Sequence, residues 1–123
     1  MSDYIIQEAI FQAEKSWHNS FRHGAILKIG KRTVSLGYNK PIISNLIFNS
    51  IHAEMSAIIN AKPSLRKLRS KQHNFVMYVV RINKDSKLCL SKPCIHCQKI
   101  MKTFGVHKCI YSNDCGKLDV IYF

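Results

Sequence analysis

The chain has 123 residues and a mass of 14.2 kDa, with 19 Lys and Arg against 7 Asp and Glu, a formal net charge of +12. Hydrophobic residues make up 46% and charged residues 21%, which excludes low-hydrophobicity disorder, and the length leaves no room for a second independent core. No run approaches the 18 or so consecutive apolar residues of a membrane span, and Met1-Ser2-Asp3-Tyr4 lacks the basic and apolar regions of a signal peptide. One domain over 1–123, cytoplasmic and with no membrane partner, is the expectation.

In chain order, Ser2 or Asp3 can cap a first helix, in which Ile6, Ile10, Ala13 and Trp17 recur at helical spacing to about residue 18. Gly24 to Ile29 and Arg32 to Tyr38 are β-prone runs joined by Gly30-Lys31, a two-residue hairpin signal. Asn39 to Asn49 reads as a loop broken by Pro41. Asn49 or Ser50 can cap a second helix that stops at Ala61, before Pro63. Phe75 to Ile82 is a strand with few charges, expected at the centre of the sheet. Ser91 and Pro93 open a third helix, with Cys97, Ile100, Met101 and Phe104 on one face and Gly105 at its end. Val106 to Tyr111 and Leu118 to Phe123 are the last strands, joined by the turn Asn113 to Gly116. That turn is too short for a parallel crossover, so the pair should be an antiparallel hairpin. The order predicts an α/β fold: a three-layer α/β/α sandwich on a five-stranded mixed sheet.

The five cysteines, Cys89, Cys94, Cys97, Cys109 and Cys115, are an odd number in a chain without a secretory signal. That argues for thiol or metal chemistry over a disulfide framework. Two short segments stand out, each at a predicted helix start: His52-Ala53-Glu54 and Pro93-Cys94-Ile95-His96-Cys97. A catalytic zinc takes three protein ligands of His and Cys type and keeps one open position for water. His52, Cys94 and Cys97 supply such a set. Cys94 and Cys97 are neighbours on one helical turn, and a helix N-terminus is expected to favour their thiolates. One zinc ion with two thiolates and a neutral imidazole sums to zero charge, so the water there is weakly acidified and a nearby carboxylate base, Glu54, is useful. Taken singly, C-x-x-C also suits a redox pair or half a structural zinc site, and H-x-E is common at helix starts. No second C-x-x-C completes a four-cysteine site.

H-A-E followed by P-C-x-x-C resembles the signature of the zinc-dependent cytidine/deoxycytidylate deaminase superfamily. Arg22-His23-Gly24-Ala25, Gly37-Tyr38-Asn39-x-Pro41, Met55-Ser56-Ala57-Ile58 and Gly105-Val106 through Tyr111-Ser112 extend the resemblance over residues 5 to 112. It implies Zn2+ held by His52, Cys94 and Cys97, with Glu54 as proton shuttle and no organic cofactor. Asn39, Ala53 (through its backbone N–H) and Pro93 are implied as substrate-binding residues. The implied reaction is hydrolytic loss of ammonia at C4 of a cytosine ring, and a homo-oligomer, dimer or tetramer, is implied as well.

Two signals divide on the substrate. A histidine in the first ligand position resembles the nucleotide and polynucleotide branches, whereas the terminal hairpin resembles the free-nucleoside branch. The leading reading is deamination of a cytosine-type nucleoside or nucleotide. The alternatives are a deaminase of cytosine or adenine in RNA or single-stranded DNA, motivated by the +12 charge and G-Y-N-x-P, and a non-catalytic zinc-stabilised binding module. The basic residues Lys62, Arg66, Lys67, Arg69 and Lys71 read chiefly as a solvated connector, with phosphate contact as the other reading. Tyr38, Phe48 and His73 read as core or rim aromatics, with base stacking as the other reading.

Overall fold

The computed structural model describes residues 3–18, 20–44, 47–69 and 74–123. Helix α1 (Asp3–Glu14) leads into a hairpin, β1 (Arg22–Ile29) and β2 (Arg32–Tyr38), followed by β3 (Lys40–Ser44) and β4 (Ile47–Ile51). Helix α2 (Ala53–Arg69), β5 (Phe75–Ile82), the short β6 (Leu88–Cys89) and α3 (Ile95–Thr103) come next, and β7 (Val106–Ser112) and β8 (Leu118–Tyr122) close the chain. The main sheet runs β2-β1-β5-β7-β8, with β6 paired to β5, so β5 is central as expected. Among the described residues only the β5–β7 pair is parallel; the terminal β7–β8 pair is the expected antiparallel hairpin, joined by the five residues 113–117. Helix α1 packs on one face of the sheet, and α2 and α3 on the other.

Strand alternation explains the layers. On β1, Ala25 and Leu27 face the α2–α3 layer while Ile26 joins Ala9, Ala13, Val80 and Ile82 under α1. Two glycines let the helices approach closely. A Cβ on Gly24 would lie 2.1 Å from the carbonyl oxygen of Ala9, and one on Gly37 would lie 2.4 Å from the amide nitrogen of Ala57 and 2.7 Å from the Ala53 oxygen. Both helices answer with alanines one turn apart, Ala9 and Ala13 in α1, Ala53 and Ala57 in α2, all fully buried.

Several elements differ from the sequence expectations. Helix α1 stops at Glu14, closed by Lys15 and Ser16 N–H bonds to the carbonyls of Gln12 and Ala13, which leaves Trp17 off the apolar face and 49% exposed. The expected loop at Asn39 to Asn49 contains the two-stranded β3–β4 ladder; in such a ladder every strand is an edge, so Pro41 is no obstacle. Helix α2 therefore starts at Ala53, after β4 ends, and the His52 carbonyl accepts its first bond, from Ser56 N–H at 2.9 Å. The helix also continues past Pro63 to Arg69. The bond that Pro63 cannot make would fall on the Ile59 carbonyl, and Ile59 is exposed to water. Lys62, Arg66, Lys67 and Arg69 consequently belong to α2 and not to a connector, whereas Ser2, Lys71 and His73 lie outside the described residues. Cys109 is buried in the core, Cys89 is half-buried and Cys115 is an exposed turn residue. Among the described residues no helix is long and apolar enough to cross a membrane.

The glycine contacts make a selective expectation. Gly24→Ala and Gly37→Ala should each cost about 3 kcal/mol of stability, because backbone atoms must move to admit the new methyl. Only Gly37→Ala should also weaken metal retention, by about tenfold, since it displaces the N-terminus of α2. Equal metal affinity in both variants would contradict this account.

Candidate metal and catalytic site

The strand registers bring the two helix starts to one edge of the sheet. Ile82, at the end of β5, pairs with Arg22 at the start of β1, and Gly24 pairs with Tyr38 at the end of β2. The contact of Gly37 with Ala53 and Ala57 thus sets the N-terminus of α2 at the edge where β5 ends. The lead-in to α3 is tied to the same edge by buried hydroxyls. Ser91 Oγ donates to the Val79 carbonyl at 2.9 Å, the Ser112 N–H donates to Ser91 Oγ at 3.0 Å, and Ser112 Oγ donates to the Cys89 carbonyl at 2.7 Å. Both helices precede strands of the one parallel pair, so both present their N-termini at the carboxyl ends of those strands, where α/β sheets place their ligand sites.

His52, Cys94 and Cys97 meet there, with ligand atoms all within 4.8 Å of one another. His52 Nδ1 lies 3.3 Å from Cys97 Sγ and 3.7 Å from Cys94 Sγ. Tetrahedral bonds of ordinary Zn–N and Zn–S length would set nitrogen and sulfur about 3.6 Å apart. Cys94 is the N-cap of α3 in extended conformation (φ −68°, ψ 164°), and its sulfur accepts the Cys97 N–H at 3.5 Å. His52 and Cys94 are exposed and Cys97 is buried, so the group opens on one side. The expected preference for thiolate at this helix start meets an opposing influence at Cys97. Burial and the neighbouring Glu54 carboxylate push its thiol well up. A thiolate there needs a compensating cation, which is what a divalent metal supplies. Three soft and borderline donors with one open side fit Zn2+.

Glu54 is 5% exposed at the first turn of α2. Burial raises its carboxyl above the ordinary range, opposed by its own backbone hydrogen bond, by His52 and by a hydrogen bond with Cys97. It lines a cavity of about 280 Å³ together with His52, Ala53, Cys94, Asn39 and His23. Ala53 is fully buried at the first helical position, where backbone N–H groups lack intrahelical partners. Asn39 is largely occupied in holding the chain: its Oδ1 accepts the His23 N–H at 2.9 Å and its Nδ2 donates to the Phe21 carbonyl at 2.8 Å. One lone pair and one amide hydrogen remain for a ligand. Pro93 is not among the cavity-lining residues; it is buried, and its carbonyl accepts from Gln98 Nε2 at 2.9 Å.

The sequence reading gave no site role to His18, Phe21, His23, Ser91 or Lys92, all of which line the cavity. His23 was legible only as part of a motif. Burial, aided by Arg81, His52 and His18, lowers its pKa to about 4, so the ring is neutral at neutral pH.

The family model for the cytidine and deoxycytidylate deaminase zinc-binding region matches residues 1–113. The chain belongs to this family. Among solved structures it is similar to a cytidine deaminase from Burkholderia pseudomallei, at 22% identity and TM-score 0.69, covering 99% of this chain and 92% of that one. It is also similar to a dCMP deaminase from the cyanophage S-TIM5 in complex with dCMP and dUMP, at 18% identity and TM-score 0.56, over 90% and 82% of the two chains. A cytidine deaminase from Mycobacterium tuberculosis matches at 14% identity and TM-score 0.57, over 94% and 93%. At these identities the likeness is one of fold. No curated protein matches the chain significantly.

Zinc analysis of the purified chain should find one ion per molecule. Cys97→Ser should lose it, while Cys109→Ser, in the core and outside the ligand-type group, should keep it. At free zinc a hundred times the dissociation constant the metal should stabilise the fold by about 2.7 kcal/mol, a gain that chelation removes. Full zinc content in Cys97→Ser would exclude Cys97 as a ligand.

Proposed function

We propose that the protein is a zinc-dependent hydrolytic deaminase of a cytosine-type nucleoside or nucleotide, releasing the uracil product and ammonia. His52, Cys94 and Cys97 are the metal ligands in this reading, and Glu54 is the catalytic acid and base. The observation that carries it is Glu54 itself: a buried carboxylate hydrogen-bonded to Cys97, one of the three metal-type donors, and lining the same cavity as the other two. A purely structural zinc site has no use for such a group, and burying it is costly.

Bound zinc supplies the Lewis acidity that makes a water molecule a nucleophile near neutral pH. Glu54 takes the proton that this water gives up. As the carbon–nitrogen bond at C4 breaks, Glu54 returns a proton to the departing amine. One water enters and one ammonia leaves, and Glu54 ends as it began. Burial favours its protonated form and the cation beside it favours the carboxylate, so the two forms are brought within easy exchange. The Ala53 N–H, at the positive end of α2, is suited to hold the pyrimidine carbonyl. Asn39 serves the substrate with its remaining donor while keeping the entry to β1 in place. Pro93 contributes by shaping the turn before Cys94.

An ammonia-release assay over cytosine, cytidine, deoxycytidine, CMP, dCMP, adenosine, guanine and short oligonucleotides tests this reading. Glu54→Gln should lower turnover at least about a thousandfold while zinc stays bound. A Glu54→Gln protein that keeps its activity, or a zinc-loaded native chain that deaminates nothing in the set, would sink the reading in favour of a zinc-stabilised binding module.

A further inference from the structure

A second cleft adjoins the catalytic cavity, and its lining is cationic and aromatic. It has a volume of about 420 Å³ and is lined by Ser16, Trp17, His18, Arg22 and Lys84. His18 also lines the catalytic cavity, so the two spaces share this residue as a wall. Glu54 is the only carboxylate among the described residues that line either space.

The donors there are fixed and partly unused. His18 Nδ1 accepts the N–H groups of Ser20 at 3.1 Å and Phe21 at 3.0 Å, and the His18 N–H donates to Ser16 Oγ at 3.3 Å. With Nδ1 accepting, the neutral ring carries its hydrogen on Nε2, which is left as a donor. Arg22 donates through Nη2 to the Asn83 carbonyl, but its Nε is buried with no acceptor. Arg22 itself lines the cleft, and its guanidinium carries further N–H groups beyond that one bond, which an anionic oxygen in the cleft can meet. Lys84 adds an exposed ammonium. Trp17 and Phe21, each 49% exposed, flank His18 with ring centroids 5.1 and 5.2 Å from its own.

We propose that this cleft is a phosphate subsite, so that the substrate of the catalytic cavity is a phosphorylated nucleoside whose phosphate lies against His18, Arg22 and Lys84. The proposal rests on the deaminase reading for what occupies the first cavity, and on the cleft alone for the anion. It gives the positive charge of the chain a place to act. The phosphate belongs either to a free nucleotide or to a phosphodiester joining the target to a neighbouring nucleotide, whose base would stack on Trp17.

Trp17 is the only tryptophan of the chain, so its emission reports on the cleft. In zinc-loaded protein, kcat/KM for CMP or for the dinucleotide CpA should exceed that for cytidine about tenfold or more. Lys84→Ala and Arg22→Lys should remove most of that preference and leave cytidine turnover within about twofold, which a merely structural role would not do. Lys84 is exposed, so its variant tests the idea even where Arg22→Lys fails to fold. A full gain with CMP identifies a free nucleotide, and a gain with CpA alone identifies a strand; either supports the subsite. Equal turnover of all three, or a preference that survives in Lys84→Ala, overturns it. If nothing is deaminated, the deaminase reading fails separately, and titration of Trp17 emission with CMP decides the subsite. A response weakened about tenfold in Lys84→Ala supports it; no response, or an equal one, overturns it.

Discussion

The site depends on one packing constraint: where Gly37 of β2 meets Ala53 and Ala57 of α2, no side chain separates strand from helix. Gly37 has no Cβ, and Ala53 and Ala57 present only methyls, so helix backbone and strand backbone touch. That contact fixes the first turn of α2 in position and in rotation, and the first turn carries His52, Ala53 and Glu54. Were the helix held by long, flexible side chains, a carboxylate and an imidazole two residues apart would not be aimed reproducibly at one point. The same device recurs on the other face, where Gly24 seats α1. There it carries no chemistry, although it steadies β1, the strand that joins β2 to the centre of the sheet.

The parallel pair β5–β7 supplies the second half of the site. A parallel connection must cross over, and this one crosses through β6 and α3. The helix returns the chain to the start of β7, so its own start lies where β5 ends. The buried hydroxyls of Ser91 and Ser112 close that corner, bonding to the backbone at Val79 and Cys89. A zinc ion held by His52, Cys94 and Cys97 would supply the positive charge that favours the ionised forms of the buried Cys97 and Glu54. Burial and the Glu54 carboxylate hold the Cys97 proton on its sulfur, and burial pushes Glu54 itself toward its acid form. A divalent cation beside them would oppose both tendencies at once.

Much of this arrangement was legible in the sequence. The two motifs, each at the start of a helix, predicted that His52, Cys94 and Cys97 come together, and the apolar run Phe75 to Ile82 predicted the central strand. The four-residue turn at Asn113 to Gly116 predicted the antiparallel end, where Asn113 Oδ1 accepts two backbone N–H groups. What was not legible depended on context. Pro41 and Pro63 signal breaks by local rules, but an edge strand and an exposed helix face absorb the lost donors. Trp17 keeps helical spacing with Ile10 and Ala13, and nothing in that pattern reveals that the helix closes at Glu14. The remaining cavity wall comes from His18 and Phe21, from His23 in β1, and from Ser91 and Lys92, which are brought together only by tertiary packing. Asn39 is a mixed case. Its motif pointed to a ligand, whereas its side chain chiefly ties the end of β2 to the entry of β1.

The central claim is that two helix starts on one parallel strand pair hold a zinc ion open on one side, with Glu54 beside it. X-ray absorption at the zinc edge tests this most directly. The expected spectrum contains two sulfur neighbours at about 2.3 Å, one imidazole nitrogen at about 2.0 Å and one light atom from solvent in the fourth position. Four sulfur neighbours, or a first shell of light atoms alone, would contradict it.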